Sequence, residues 1–189
     1  MNLKTSLSAG LHGAQLLARG KAHGVLFMEA DARGVARSFW AIPFALPSVA
    51  YIATTDFPAD IHRPAALLFL IRHLAVFIVA WLGFAVFSHR LAGRTGRGPL
   101  WPRMIVTWNW CGVPENMLVF VGMLPGALGV PHILDQAAQV VTFGWAIWIE
   151  WFVFRLTFGA GPLLAMWLVM VDQSIGVLAT LLAEAFSGR

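Results

Sequence analysis

PAALLFLIRHLAVFIVAWLGFAVFS, residues 64–88, carries one formal charge, Arg72, in a run of 25 positions. About 20 mostly apolar residues in a helix are enough to cross the roughly 30 Å hydrocarbon core of a bilayer. This stretch therefore reads as a membrane-spanning helix. The whole chain has the matching composition: 189 residues, 59% hydrophobic and 12% charged, with 9 Trp, 14 Phe and a mean hydropathy of +0.73. A water-soluble domain carries about a quarter charged residues, and half that share cannot cover a globule unless lipid replaces water around it. A disordered chain is excluded by the hydrophobicity. A disulfide scaffold is excluded because Cys111 has no second cysteine to pair with.

Working outward, four more apolar runs appear at about 34–54, 103–125, 133–157 and 162–184. The fold class expected is all-α: a polytopic membrane helical bundle of five transmembrane helices over residues 34–189, preceded by a cytoplasmic or interfacial segment, 1–33. Breaker chemistry marks the joints: Thr54-Thr55-Asp56-Phe57-Pro58, the glycine- and arginine-rich run from Ala92 to Pro99, Pro125-Gly126 to Pro131, and Gly159-Ala160-Gly161-Pro162. The last joint is short enough to make spans four and five an antiparallel hairpin. In the N-terminal segment Leu3, Leu7, Leu11, Ala14 and Leu17/Ala18 recur at helical spacing, which predicts an amphipathic helix lying at the interface; a helix packed on the bundle is the alternative. Gly10, Gly13, Gly20 and Gly24 weaken either version. Charged and polar residues run through 1–33, so no cleavable signal is expected there.

Ten of the 13 basic residues fall on one side of these spans: Lys4, Arg19, Lys21, Arg33, Arg37, Arg90, Arg94, Arg97, Arg103 and Arg155. Arg63 and Arg189 fall on the other, and Arg72 lies within a span. Because Lys and Arg of short loops stay cytoplasmic, this places the N-terminus inside and the C-terminus in the periplasm of a bacterial inner membrane. The net charge of +4 is then explained by anionic headgroups, for which Arg90, Arg94, Arg97 and Arg103 are the binding candidates, and nucleic acid is not an expected partner.

Ionisable groups inside a span cost several kcal/mol unless they pair, face the bundle interior or reach water. Arg72 in span two, Glu115 in span three and Asp172 in span five lie at similar depths, and one arginine between two carboxylates is the economical arrangement. Asn109 and Glu150 complete the polar set, Glu150 with the option of facing Asn109 across the bundle. Such groups serve as interhelical glue, as a proton, ion or solute path, or as contacts to a partner subunit. His73 is the lone histidine well inside a span, which argues against bis-histidine haem and for a hydrogen-bonded bundle residue. Cys111 reads as a small apolar filler, and Trp145, Trp148 and Trp151 as a packing stripe. No catalytic motif, metal-ligand spacing or phosphate-binding loop is present, so no catalytic residue, metal or cofactor is expected.

Gly34-Val35-Ala36-Arg37-Ser38-Phe39-Trp40, Thr107-Trp108-Asn109-Trp110 and the run Trp148–Thr157 give the chain a pattern that resembles uncharacterised five-span inner-membrane proteins of alphaproteobacteria, broadly similar to Yip1-type membrane proteins. The resemblance implies an integral helical bundle with a cytoplasmic N-terminus, no established enzymatic activity, and partner binding in the membrane. The function expected is accordingly non-enzymatic: an accessory subunit of a membrane complex, or an organiser of lipid and protein. Its partners would be lipids and other membrane subunits or further copies of the chain. The alternative is a small transporter or channel using the Arg72, Glu115 and Asp172 cluster.

Overall fold

The computed structural model describes residues 3–55, 57 and 63–187, with Arg63 and Ser187 described by their backbone alone. Asp56, Pro58 and His62, the side chain of Arg63, and Arg189 lie outside the described residues. All regular structure among the described residues is helical. The helices are α1 (Leu3–Ala18), α2 (Ala32–Ser38), α3 (Ala41–Thr55), α4 (Arg63–Arg94), α5 (Trp101–Ala127), α6 (His132–Thr157) and α7 (Pro162–Ser187), with a 3₁₀ turn over Ala22–Phe27 and another at Gly98–Leu100.

Among the described residues, four segments are long and apolar enough to cross a membrane: Ala32–Thr55, Pro64–Arg94, His132–Thr157 and Pro162–Phe186. The first is α2 and α3 joined through a tight turn at Phe39–Trp40. The break has a local cause. Pro43 has no N–H for the Phe39 carbonyl and its ring crowds that carbonyl, so the helix restarts at Ala41, and Pro47 denies the Pro43 carbonyl its usual i+4 donor in turn. At the other end Asp31 caps α2, its carboxylate accepting from the Gly34 N–H at 2.6 Å.

Helix α5, the expected third span, is not among those four segments. Its 27 residues are long enough, but Pro102, Arg103, Thr107, Asn109, Pro114, Glu115 and Asn116 dilute its apolar character. It is instead the most enclosed helix, with every residue from Met104 to Val113 buried. A helix walled by other helices meets protein where an outer helix meets lipid, so its polar side chains need bonding partners and its outer surface need not be apolar. Helices α1, α2, α3, α4 and α6 all pack on α5. Helix α7 packs on α4 and α6 and stands off α5, and the space left between them is the feature on which the site is built.

The N-terminal helix departs from the expected leucine stripe. Its buried face is Ser6, Gly10, Gly13, Ala14 and Leu17, while Leu3 is exposed and Leu7 and Leu11 are half-buried. Glycine is the reason. Gly10 lies flat on the Trp110 indole, where a Cβ would overlap the ring, and a Cβ on Gly13 would stand 2.7 Å from the Gly24 carbonyl oxygen. Small residues let α1 approach to backbone distance, as in tightly crossing membrane helices. The helix lies against α5 and α6, and the Trp145 Nε1–H, midway along α6, donates to the Ala18 carbonyl at 3.0 Å. A polar strap holds the following segment: Glu29 accepts from Ser6 Oγ at 2.8 Å and pairs with Arg37 at 3.2 Å.

Candidate functional site

The α4–α5 hairpin brings Trp81 against Gly112, where a Cβ would stand 2.5 Å from the ring; only glycine admits the indole here. That seating aims the Trp81 Nε1–H at Asn109 Oδ1, 2.6 Å away, and the Asn109 amide donates onward to Ser38 Oγ at 2.7 Å. Ser38 in turn donates to the Val35 carbonyl at 2.7 Å. Asn109 and Ser38 are fully buried, so this chain of hydrogen bonds fastens α2, α4 and α5 with every member partnered. Around it Phe77, Trp81, Phe84, Trp108 and Phe154 form a continuous run of ring contacts with centroids 4.6 to 5.6 Å apart.

One layer away the α6–α7 hairpin contributes its acids. Glu150, 2% exposed, accepts from the Trp108 Nε1–H and from the Gln173 amide, each at 3.4 Å, and its carboxyl is in hydrogen-bonding contact with that of Asp172. Glu115 approaches from α5, and its Oε1 is shut off from solvent with no hydrogen-bond partner among the described residues. Pro114 beside it removes the N–H that would bond the Trp110 carbonyl. These groups line a cavity of about 510 Å³ walled by α4, α5, α6 and α7. Glu115, Glu150, Asp172 and Glu184 all line it, and no Lys, Arg or His does among the described residues.

The sequence-predicted residues therefore divide. Glu115, Asp172 and Glu150 come together around one cavity. Asn109 is one layer off, bonded to Trp81 and Ser38 and not to Glu150. Arg72 is not among the cavity-lining residues; its guanidinium lies over the Phe69 ring at 5.1 Å, so the arginine expected between the two carboxylates is not there. Arg90, Arg94 and Arg103 are exposed at the end of the bundle where α4 runs into α5, as headgroup contacts require, whereas Arg97 is half-buried over Phe158 at 5.8 Å. His73 bonds the Phe69 carbonyl at 2.9 Å, and Cys111 is buried. The tryptophan stripe docks segments: Trp145 holds the end of α1, Trp151 donates to the Pro162 carbonyl at 3.1 Å, and Trp148 stacks on Phe152.

Sequence reasoning missed Ser38, Trp81 and Glu184. It also left Glu150 apart from Asp172, although a signal existed: the two flank the short hairpin at almost equal distance from Ala160, ten residues before and twelve after. Comparison with protein-family models, with curated proteins and with solved structures gives no match.

Proposed function

We propose that this chain is a non-enzymatic, multi-pass inner-membrane protein that binds a cation in the acidic cavity and passes it across the bilayer, as a small transporter or channel. The observation that carries the proposal is the convergence of Glu115, Glu150 and Asp172, from three helices, on a ligand-sized cavity with no basic side chain lining it among the described residues. Carboxyl groups at membrane depth must be met by protons or by a cationic guest, since lipid cannot solvate them. In this reading α5 is the fifth crossing, shielded from lipid by its neighbours, the arginine-bearing end is cytoplasmic and the C-terminus periplasmic. Uptake of tetramethylammonium, sodium and protons into proteoliposomes tests it. Flux of at least one by the wild type, lost in Glu115→Gln and Asp172→Asn variants that still purify as folded protein, supports the proposal. Equal flux in wild type, variants and empty vesicles overturns it.

A second reading, an accessory subunit or organiser of lipid and protein in line with the Yip1-type resemblance, is favoured by the half of α6 remote from the hairpin. Gln136 and Gly144 are exposed there among Ile133, Leu134, Val140 and Val141, giving a partner helix one hydrogen-bonding group and one point of close approach on an otherwise apolar face. Mild-detergent purification with mass spectrometry separates the two: a stoichiometric co-purifying subunit, or a stable homo-oligomer, supports this reading. A monodisperse single chain opposes it.

A further inference from the structure

Helices α6 and α7 meet closely only near their hairpin. On that side Ile149, Val153 and Phe154 of α6 and Ala165, Leu168 and Val169 of α7 are buried. Farther out, no residue of α6 between His132 and Trp145 is buried, and none of α7 between Met170 and Phe186. The two helices follow different partners there. Helix α6 stays on α5, with Gly122 against Thr142 and the Gly126 N–H donating to Asp135 at 2.8 Å. Helix α7 stays on α4, where Ile175 fills the space over Gly83. The pairs separate like jaws, with the cavity between them. Its lining near the open end includes Phe143, Val177 and Leu181, which are 51%, 60% and 56% exposed. Thr180 and the exposed Glu184 line the same stretch of α7, so the rim is apolar over most of its length with a carboxyl at its edge, which admits an alkyl chain from the hydrocarbon side together with a cationic head.

The closed end makes the opposite demand. The orphaned Glu115 Oε1 is an acceptor open to an N–H or O–H donor, and a carboxyl cluster favours a positively charged one. The Trp81 and Trp108 rings, also in the lining, can face such a cation. Resting on the cation-binding reading above, we infer that the ligand is an amphiphilic primary ammonium, which enters sideways between α6 and α7 with its headgroup at Glu115 and its alkyl chain against Val177 and Leu181.

Equilibrium binding of dodecylamine, butylamine and dodecyltrimethylammonium to the full chain in phosphatidylcholine nanodiscs, referenced to empty nanodiscs, tests this. With affinities expressed on the free aqueous concentration of each amine, every methylene taken out of water is worth roughly fourfold, so dodecylamine binds at least about tenfold tighter than butylamine. Dodecyltrimethylammonium, which has no N–H to donate, binds about tenfold or more weaker than dodecylamine. Glu115→Gln abolishes specific binding of both amines, with Asp172→Asn as the second variant should the first fail to fold. Val177→Ser/Leu181→Ser weakens dodecylamine several-fold and leaves butylamine unchanged. Equal affinities for the two amines, both lost in Glu115→Gln, would overturn sideways entry while leaving the cation site standing. Dodecyltrimethylammonium binding as tightly as dodecylamine overturns the N–H assignment. Binding of neither amine, with cation flux intact in proteoliposomes, overturns the ligand class alone; absence of both binding and flux removes the underlying reading as well.

Discussion

Replacing Asn109 with alanine tests the hydrogen-bonded chain that fixes the cavity wall. The change strips the Trp81 N–H of its acceptor at 2.6 Å, and an orphaned buried donor costs about 1–3 kcal/mol. It also removes the donor to Ser38. That loss is smaller, about 0.6 kcal/mol for an average interhelical bond in a membrane protein, because the serine hydroxyl keeps the Val35 carbonyl. The missing amide leaves a small void in a fully buried position, worth about 1 kcal/mol more. Together these predict a loss of about 3 kcal/mol, measurable as reversible unfolding by SDS in mixed micelles. A cycle with Trp81→Phe isolates the key bond: with the indole N–H gone there is no orphan to create, so Asn109→Ala costs about 1–2 kcal/mol less in that background. Additive effects, or an Asn109→Ala variant within 0.5 kcal/mol of wild type, would refute the reasoning.

Gly112→Ala forces a Cβ to 2.5 Å from the Trp81 ring and is predicted to cost about 1–3 kcal/mol by overpacking, read in the same unfolding assay. Gly10→Leu displaces α1 from Trp110; the expected outcome is faster proteolysis of residues 1–30 with the rest of the bundle intact, and an unchanged digestion pattern counts against the docked α1. Glu29→Gln gives up the Arg37 pair and weakens the bond to Ser6; both groups are partly exposed, so a loss of no more than about 1 kcal/mol is predicted, falling further in high salt. Because Cys111 is buried, a Thr95→Cys variant in the otherwise unaltered chain reports the position of its loop. An impermeant maleimide should label it in inside-out vesicles and not in intact cells; the reverse pattern inverts the orientation.

Much of the fold was legible one helix at a time. The run 64–88, the breaker-marked joints and the short α6–α7 turn each declare themselves locally, because lipid demands about 20 apolar residues in a row and proline and glycine end helices by steric rules that hold in any context. What was misread concerns surroundings. Helix α5 reads as a span like the others, but its apolar character is diluted and its burial is greatest, since its surroundings are largely protein. The leucine stripe of α1 reads as an interfacial helix, with packing on the bundle as the alternative; in the structure Ala14 and Leu17 of that stripe are buried beside Gly10 and Gly13, which permit the close approach to α5. The arginine of the expected cluster sits over Phe69, while Glu150 took its place beside Asp172.

Sequence alone determines that the chain is helical with segments long and apolar enough to cross a bilayer, and that Glu115, Glu150 and Asp172 are costly enough there to need a reason. Those conclusions depend on counts and spacings along one dimension. Which acids converge, where the cavity opens and which glycines carry contacts depend on how helices rotate and tilt against one another. A turn of one helix by a single residue, about 100°, redirects its side chains to a different neighbour. Only the packed bundle decides that rotation, because it is set by how Trp81 seats on Gly112, Trp110 on Gly10 and Thr142 on Gly122 all at once.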